Sequence, residues 1–520
     1  MHLLTPAVMR EIDREAAARI DGGEKTLMRN AGLCVVRICE EYLTQQLRQD
    51  KKMGQPCAAI LCGRGNNGGD GYVVASALAE RGWEVAVFEY DPMRERTGSA
   101  GDFRRAAQET GCRFLSLCDG PELRSLLSRA DVLVDAVFGT GFRGELPGEL
   151  PELFRFCGST TAFRIAVDCP SGINPETGDA APGTFPAQLT AAMSYPMRGS
   201  LLLPARQYVG RLKVCDIGID RRKAEAGRSL NDWMADEAFV RQIFPPRSAD
   251  TNKGSYGRVL LVCGSEDMPG AAILALSGAL RMGVGICELC APASVCAAAA
   301  VRCPEAILTR IPDPSEWTDG IIGRISERAS AANAALIGCG LGIHRAVARL
   351  VQFLLDKAGC PLILDADALN SSAAEKIDWR FKKREVVLTP HPKELSRLTG
   401  RPVPELQKAR YETAKTLSAA WQVTLLSKGA DTIIAAPDGR TAINPNGNPG
   451  LAKGGSGDVL AGFLAGLAAQ KHSPFDAAVC AAYLHGAAAD RLKEKYSEAG
   501  FRTSELPDAA ASTLSEVLRG

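Results

Sequence analysis

GRGNNGGDG at Gly63–Gly71 and NPGLAKGGSGDVL at Asn448–Leu460 decide the fold of this chain. Each follows a β-like run and opens an apolar helix. At such a junction successive backbone N–H groups point into one concavity, where the positive helix end favours an anion. Each loop also carries an acidic residue near its end, Asp70 and Asp458. Two such loops far apart in the chain imply two separate sites, each able to hold a phosphorylated ligand beside a carboxylate.

Around the first loop the pattern alternates. Two opening helices, Ala7–Ile20 and Leu27–Gln46, precede a buried strand at Cys57–Cys62, a helix at Gly71–Arg81 and strands at Trp83–Tyr90, Val132–Phe138 and Phe163–Asp168. Such alternation predicts a parallel sheet covered by helices on both faces, with ligand loops at the strand C-terminal ends. The stretch DRRKAEAGRSL at Asp220–Leu230 is charged and lacks apolar periodicity. It reads as a linker, residues 221–230, between domains at 1–220 and 231–520. A second series then runs through a strand at Gly257–Cys263, a helix at Gly270–Met282, and strands near Ala334–Gly338, Pro361–Asp365, Val386–Thr389 and Val423–Ser427. Helices Asp458–Gln470 and Asp476–Lys493 close it. The fold class is α/β, and the halves share an architecture without a visible sequence repeat.

Composition agrees with two domains or more. The chain has 520 residues, 46% hydrophobic, with 52 glycines and 6% aromatics, which suits alanine- and glycine-rich α/β architecture. A formal charge of +1 argues against a nucleic-acid partner, which would need a basic excess or stripe. The opening MHLLTPAVMREIDREAAARI is charged too early for a secretory segment, and apolar runs such as Leu289–Val301 are too short to span a bilayer. A cytoplasmic protein without a membrane partner is expected. The 17 cysteines are scattered, many in apolar runs (Cys62, Cys263, Cys339), and the Cys287–Cys290 pair has no second pair or nearby histidine. They read as reduced core residues.

In the first half, Gly63–Gly71 lacks the residues of a P-loop and the glycine spacing of a dinucleotide fingerprint. Asn66 and Asn67 offer amide donors and acceptors, and the glycines permit close ligand approach. Asp135 lies in an otherwise apolar strand that ends in GTGFRGELPG, and Asp168 ends the next strand before CPSG. Loop amides alone account for one such aspartate; two beside NNGGDG look like a site. NNGGDG, DAVFGTGFRG and VDCPSG, in that order across Met1–Asp220, resemble the NAD(P)H-hydrate epimerase family, the YjeF N-terminal domain. The resemblance implies a Rossmann-like three-layer αβα fold that interconverts the R and S epimers of hydrated NADH and NADPH. It places the dinucleotide against Asn66, Asn67, Gly68, Gly69 and Asp70, and against Gly139, Thr140, Gly141, Phe142, Arg143, Gly144 and Glu145. It matches Asn67, Asp135 and Ser171 to a potassium site, and makes Asp168 the substrate-contacting residue chosen for proton transfer at C6.

In the second half, the amides of Lys453, Gly454, Gly455, Ser456 and Gly457 are candidates for an anion hole ahead of a helix dipole. Asp458 reads either as a helix cap or as a base for a hydroxyl attacking phosphate. Gly462 and Gly466, four apart on that helix, read as close-packing positions, and His485 as a packed residue of an alanine-rich helix. GGSGD resembles the ribokinase-like superfamily. NKGSYGRVLLVCGS, MPGAAILA, GCGLG, ILDADAL, LTPHPKEL, LSKGADTII and INPNGNPGLAKGGSGD together resemble the ADP-dependent NAD(P)H-hydrate dehydratase family across Asp236–Leu514. The match departs at Asn252, where a histidine is usual before Lys253. It implies a ribokinase-like αβα domain using ADP and Mg²⁺, in which Asp458 deprotonates the C6 hydroxyl, phosphorylation makes it a leaving group, and elimination restores the reduced cofactor. It carries nucleotide contacts to Lys428, Gly429, Ala430, Asp431, Thr432 and Gly457, and contacts to the hydrated dinucleotide to Gly340, His391 and Asp458. Asp365 and Asp367 are further candidates, for magnesium.

Joined, the halves imply a bifunctional repair enzyme acting on NADHX and NADPHX. Relatives of both halves assemble, so a homo-oligomer is expected. Two other readings stay open on sequence: a small-molecule kinase in the second half, and a non-catalytic binding domain in the first. TPHPKE weighs against the kinase; Asp135, Asp168 and the lack of a basic patch weigh against the non-catalytic domain.

Overall fold

Along β1 (Cys57–Cys62) successive side chains enter opposite cores. Ala58, Ile60 and Cys62 join one cluster; Ala59 and Leu61 join the other. The two-residue period of a strand therefore demands cover on both faces. The computed structural model describes residues 1–49, 54–118, 120–244, 247–378 and 385–519. It has two units, His2–Leu230 and Asn231–Gly520 with Met1.

In the first unit, β1 is joined by β2 (Glu84–Glu89), β3 (Arg113–Ser116), β4 (Val132–Ala136), β5 (Phe163–Val167), β6 (Leu189–Met193) and β7 (Arg211–Cys215). Their order is β3-β2-β1-β4-β5-β6-β7, all parallel, the Rossmann-like arrangement. The register sets Leu61 beside Asp135, and Asp135 beside Ala166. Helices α1 (Pro6–Ala17) and α2 (Gly23–Gln49) pack into the β1 cluster through Met9, Ile12, Leu27 and Val35.

The helix α3 starts at Asn66 and runs to Glu80, five residues before the expected start at Gly71. The NNGGDG stretch is thus its first turns, not a loop ahead of it. Glycine there answers to space: a Cβ on Gly68 would lie 2.2 Å from the Gly63 carbonyl oxygen, and one on Gly63 would lie 1.8 Å from that of Val137. Close approach outweighs the roughly 1 kcal/mol helix penalty of glycine.

The second unit holds β8 (Asp232–Met234), β9 (Arg258–Val262), β10 (Ile286–Ala291), β11 (Ile307–Arg310), β12 (Ala334–Ile337), β13 (Leu362–Leu364), β14 (Val386–Leu388), β15 (Thr424–Ser427), β16 (Ile433–Ala435) and β17 (Thr441–Ile443). They form one sheet ordered β11-β10-β9-β12-β13-β14-β15-β16-β17-β8, parallel except where β16 pairs with β15 and β17. Strands β8, β10, β11, β16 and β17 escaped the sequence reading; β8, β16 and β17 have three residues each and show no period by themselves. The glycine-rich helix runs from Ser456 to Ala468, so Asp458 is its third residue rather than its first.

Two features differ from the sequence reading. Residues 221–230, expected as a linker, carry a short helix Arg221–Glu225 capped by the Asp220 carboxylate. They group with the first unit, where Ala224 is buried in the core and Arg228 pairs with Glu15. Arg222 and Lys223 lie on the exposed side of this turn. The cysteines are also not all reduced: Cys34 on α2 and Cys215 at the end of β7 form a disulfide, while the other 15 are free. A sequence separation of 181 left no local signal, but the packing of α2 brings the two Cα atoms to 6.1 Å, within disulfide reach.

Gly462 and Gly466 face the helix Pro269–Arg281, where an added Cβ would meet the carbonyl oxygens of Ala275 at 2.1 Å and Ala279 at 2.6 Å. Gly462→Val should therefore destabilise the second unit by about 1–3 kcal/mol through forced separation of the two helices. Gly323→Ala, on the helix Asp319–Ser330 with open space around it, should be neutral or stabilising. Denaturant midpoints of the two variants check this contrast.

Candidate active sites

A cavity of about 1110 Å³ opens at the C-terminal ends of β1, β4 and β5. Of the residues expected there, Asn66, Asn67, Asp70, Gly139–Arg143, Glu145 and Asp168 line it. Gly68 and Gly69 do not; they are buried inside α3, where a Cβ on Gly69 would lie 2.5 Å from the Met28 sulfur. Gly144 turns the exposed loop at φ 84°. Arg143, the expected cationic fork, folds back on its own loop: it donates to the Phe142 carbonyl (2.6 Å) and pairs with Glu176 (3.4 Å).

Asp168 follows β5 with φ 65°, an uncommon backbone conformation for a residue with a side chain. That turn presents its Oδ2 to the Thr140 N–H at 3.1 Å. Burial pushes its carboxyl up to about 6. Beneath it, the fully buried Asp135 accepts from the Ser171 N–H (2.7 Å), the Ser171 hydroxyl (2.6 Å) and the Val137 N–H (3.1 Å). The Ser171 oxygen in turn accepts from the Phe138 N–H at 2.8 Å. Asp135 and Ser171 thus brace the loop after β4. The Asn67 amide is different: its oxygen and nitrogen are buried with no hydrogen-bond partner among the described residues.

Sequence reasoning missed the other wall. Asp13 on α1 and Glu24 on α2 line the same cavity, and Asn66 donates to Glu24 at 2.6 Å. Burial, then the nearby Asp168 and Glu24 carboxylates, push Asp13 up to about 7. Burial, then Asp168 and Asp13, lift Asp70 well above the usual carboxylate range. One signal was available: Asp13 lies one turn after Met9, which the helical pattern buries.

The second site lies where β13, β15 and the helix Ser456–Ala468 meet. Lys428, ending β15, donates from Nζ to Asp365, which also accepts from the Thr389 hydroxyl at 2.7 Å. That ammonium lies 3.2 Å from where a Cβ on Gly457 would sit, so Lys428 and Gly457 border one space. Asp458 is close by: it, Asp365 and Cys339 offer side-chain atoms within 4.8 Å of one another. Burial, then the Asp365 carboxylate, push Asp458 up to about 6. Gly455, at φ 88°, makes the turn that aims the first helical amides at this space.

Other expected residues are tied elsewhere. The Lys453 N–H donates to the Leu451 carbonyl (2.8 Å), so it is not a free anion-hole donor. Its Nζ caps the helix Pro474–Gly500 through the carbonyls of Glu498, Ala499 and Phe501 at 2.7–3.1 Å. The Ser456 hydroxyl donates to Leu451, and Thr503 donates to the Gly454 carbonyl. Asp431 is turned to Arg410 at 3.0 Å, while Gly429 and Thr432 bond each other and Ala430 is exposed. His391 caps the helix Pro392–Thr399, its Nδ1 accepting from the Lys393 and Glu394 amides; burial, then Lys428, hold its pKa below the usual histidine value. Gly340, at φ 67°, is buried against Met268 and Ala271. Asp367 accepts the Gly342 N–H at 2.8 Å. His485 is buried beside Phe463, and burial lowers it to about 4, so it is neutral.

Comparison with known proteins covers both units. The family described as YjeF-related protein N-terminus matches residues 24–199, and the family described as NAD(P)H-hydrate dehydratase matches residues 259–511. The chain is 37% identical over 516 residues to a bifunctional NAD(P)H-hydrate repair enzyme of Moorella thermoacetica, covering 98% of this chain and 96% of that one. A relative of the same description from Thermofilum pendens is 34% identical over 506 residues, covering 95% and 93%. Among solved structures, a ribokinase-like superfamily protein from Enterococcus faecalis aligns with TM-score 0.50 at 24% identity, over 57% of this chain and all (100%) of that one. It shares the fold of the second unit. An ADP/ATP-dependent NAD(P)H-hydrate dehydratase from Bacillus subtilis, co-crystallised with ATP and Mg²⁺, is 38% identical over 56% of this chain and 100% of its own, with TM-score 0.49.

The Lys453 clamp should be needed for stability more than for charge. Lys453→Met keeps the length of the side chain but removes the ammonium that lies 4.3 Å from the Phe501 ring centre and leaves helix-end carbonyls without their donor. The expected loss is about 1–3 kcal/mol, read as a lower denaturant midpoint of the second unit.

Proposed function

The chain belongs to the bifunctional NAD(P)H-hydrate repair enzymes, and from that premise we propose how its residues divide the work. The protein interconverts the R and S epimers of hydrated NADH and NADPH, and dehydrates the S epimer to the reduced cofactor. Epimerisation falls to the unit His2–Leu230, with Asp168 exchanging protons at the C6 centre. Dehydration falls to the unit Asn231–Gly520, with ADP as phosphoryl donor. This reading keeps the protein in the cytoplasm as a homo-oligomer, without nucleic-acid or membrane partners. Among the described residues no helix is long and apolar enough to cross a membrane.

The observation that carries the dehydratase assignment is the convergence of Asp458, Lys428 and the amino end of the helix Ser456–Ala468 on one space. Asp458 removes the proton of the C6 hydroxyl as its oxygen attacks the terminal phosphorus of ADP. The amides at Gly454, Gly455 and Gly457 and the Lys428 ammonium hold the transferred phosphoryl oxygens as charge builds. AMP leaves, and loss of phosphate with a proton from the ring restores the dihydronicotinamide. Magnesium neutralises phosphate charge when bound. Asp365 is paired with Lys428 through Oδ1, and Asp367 accepts the Gly342 amide through Oδ2; the other oxygen of Asp365, grouped with Asp458, would hold the ion together with nucleotide phosphates.

Potassium suits the first unit. Asn67 carries a buried amide oxygen without a partner among the described residues, and its side chain borders Gly139 in the loop that Asp135 and Ser171 brace. One carboxylate with neutral oxygens is a weak set for Mg²⁺ and an ample one for a monovalent cation of loose geometry. The ion would balance the charge of Asp135 and fix the loop that presents Thr140 to Asp168.

Two variants of the full chain separate the activities, followed by near-ultraviolet absorbance of reduced nicotinamide and by resolving the epimers. Asp458→Asn should lower dehydration about 10²–10⁴-fold and leave epimerisation intact. Asp168→Asn should do the reverse. Because Asp458 must be ionised to accept a proton and sits at about 6, wild-type dehydration should rise with pH through about 6 and level off above it. Near-normal turnover by Asp458→Asn would reduce that residue to a helix-end carboxylate. For the cation, Asp135→Ala should weaken epimerisation and abolish its response to potassium, with S-epimer dehydration unchanged. If tetramethylammonium replaces potassium without slowing the wild-type epimerase, the potassium assignment fails.

A further inference from the structure

Inversion at C6 poses a geometric problem for a single carboxylate. The carbon carries a hydroxyl and a ring nitrogen, so oxygen must leave from one face and return to the other. A group placed to help departure on one face is misplaced for the return. Enzymes that invert at an analogous O–C–O centre use two carboxyl groups, one on each side.

The cavity of the first unit supplies two from different elements. Asp168 comes from the loop after β5, held by the Thr140 amide. Asp13 comes from α1, on the wall made by the opening helices, and both line the same space. The turn of α1 that bears Asp13 is packed: Met9, one turn earlier, and Ile12 are buried at 4% and 1% exposure. No hydrogen bond or ion pair engages the Asp13 carboxyl among the described residues, so no structural bond accounts for its burial there. The charged groups lining the cavity include Arg10 and Arg14 of its own helix, Glu24 of α2, Asp70 of α3 and Asp168, with Arg64, Arg143 and Glu145 from the loops after β1 and β4.

We propose that Asp13 is a second catalytic acid–base of the epimerase, acting on the face of the hydrated nicotinamide opposite Asp168. The inference rests on the epimerase reading of this unit. In one direction Asp13, as the acid, protonates the C6 hydroxyl. The C6–O bond breaks, water leaves, and the N1 lone pair forms a C6=N1 iminium bond. Asp168, as the carboxylate, takes a proton from a water attacking the other face; a new C6–O bond forms and the iminium pair returns to N1. The C6–H bond is never broken. Asp13 has then lost one proton and Asp168 gained one, the state needed for the reverse reaction with roles exchanged; proton return through solvent resets the forward direction. The two groups are suited to sharing a proton, since burial, and after it the neighbouring carboxylates, hold Asp13 at about 7 and burial holds Asp168 at about 6.

The test uses the full chain with resolved epimers and Asp13→Asn, Asp13→Glu and Asp168→Asn. Asp13→Asn is isosteric and removes a buried charge, so its melting temperature should be kept or raised. Its epimerisation kcat should fall about 10²–10⁴-fold with KM within a few-fold of wild type and S-epimer dehydration unchanged. Asp13→Glu should recover part of the rate. In ¹⁸O-water each wild-type inversion should place one solvent oxygen on C6, and a deuterium carried at C6 should stay. Near-wild-type epimerisation by Asp13→Asn while Asp168→Asn is inactive overturns this inference and leaves the epimerase reading standing. A rate loss matched by a lower melting temperature or a large rise in KM, with no recovery in Asp13→Glu, assigns Asp13 a structural role and also overturns it. Inversion without solvent oxygen removes the two-carboxyl step. If neither Asp13 nor Asp168 affects epimerisation, the reading of the unit itself falls.

Discussion

Backbone-to-backbone approach at glycine is the constraint on which both sites rest. In the first unit, a Cβ at Gly63 would overlap the Val137 carbonyl, and one at Gly68 would overlap that of Gly63. The amino end of α3 therefore sits directly on the ends of β1 and β4. In the second unit, Gly462 and Gly466 let the helix Ser456–Ala468 lie against the helix Pro269–Arg281 at carbonyl contact distance. A helix amino end is useful to an anion only if its amides face the ligand from a fixed position. Here that position is set by a dense packing that any side chain would disrupt.

Burial of carboxyl groups is the second shared device, and its local consequences differ. Asp365 is paired with Lys428 in the interior. Asp458, Asp168 and Asp13 have no such cation bonded to them among the described residues, and each is pushed upward toward the range in which a proton is easily given or taken. Asp135 lies between these cases: hydrogen bonds from Ser171 and Val137 oppose the burial that raises it. The protein thus sorts chemically identical side chains into holders and exchangers of protons by what each one touches.

The two chemistries complement each other. Spontaneous hydration chemistry yields both epimers, while phosphorylation and elimination act on one. An epimerase in the same chain converts the unusable form, so both reach the dehydratase. Neither reaction requires the other's active site, which agrees with two units each holding its own sheet, cores and glycine-bounded helix end.

The α/β class, the doubled architecture and the residues of the two glycine-rich junctions were legible in the chain itself, because they follow from local period and from residue types with few alternative uses. Asp168 and Asp458 could be named since one follows a recognisable strand and the other opens a recognisable helix, each within a motif. Asp13 was not named: its spacing from Met9 marks the inner side of α1, but only laying α1 over the sheet shows that this side borders a cavity. The Cys34–Cys215 bond and the engagement of Lys453 with the end of a distant helix were hidden for the same reason. So was the turning of Asp431 toward Arg410. Sequence alone determined the α/β class, the longer strands and helices and the two glycine-rich junctions, since those depend on neighbours along the chain. Tertiary structure alone decided which charged groups share a space and therefore which can exchange protons, since electrostatic coupling depends on distance through the fold, not on separation in sequence.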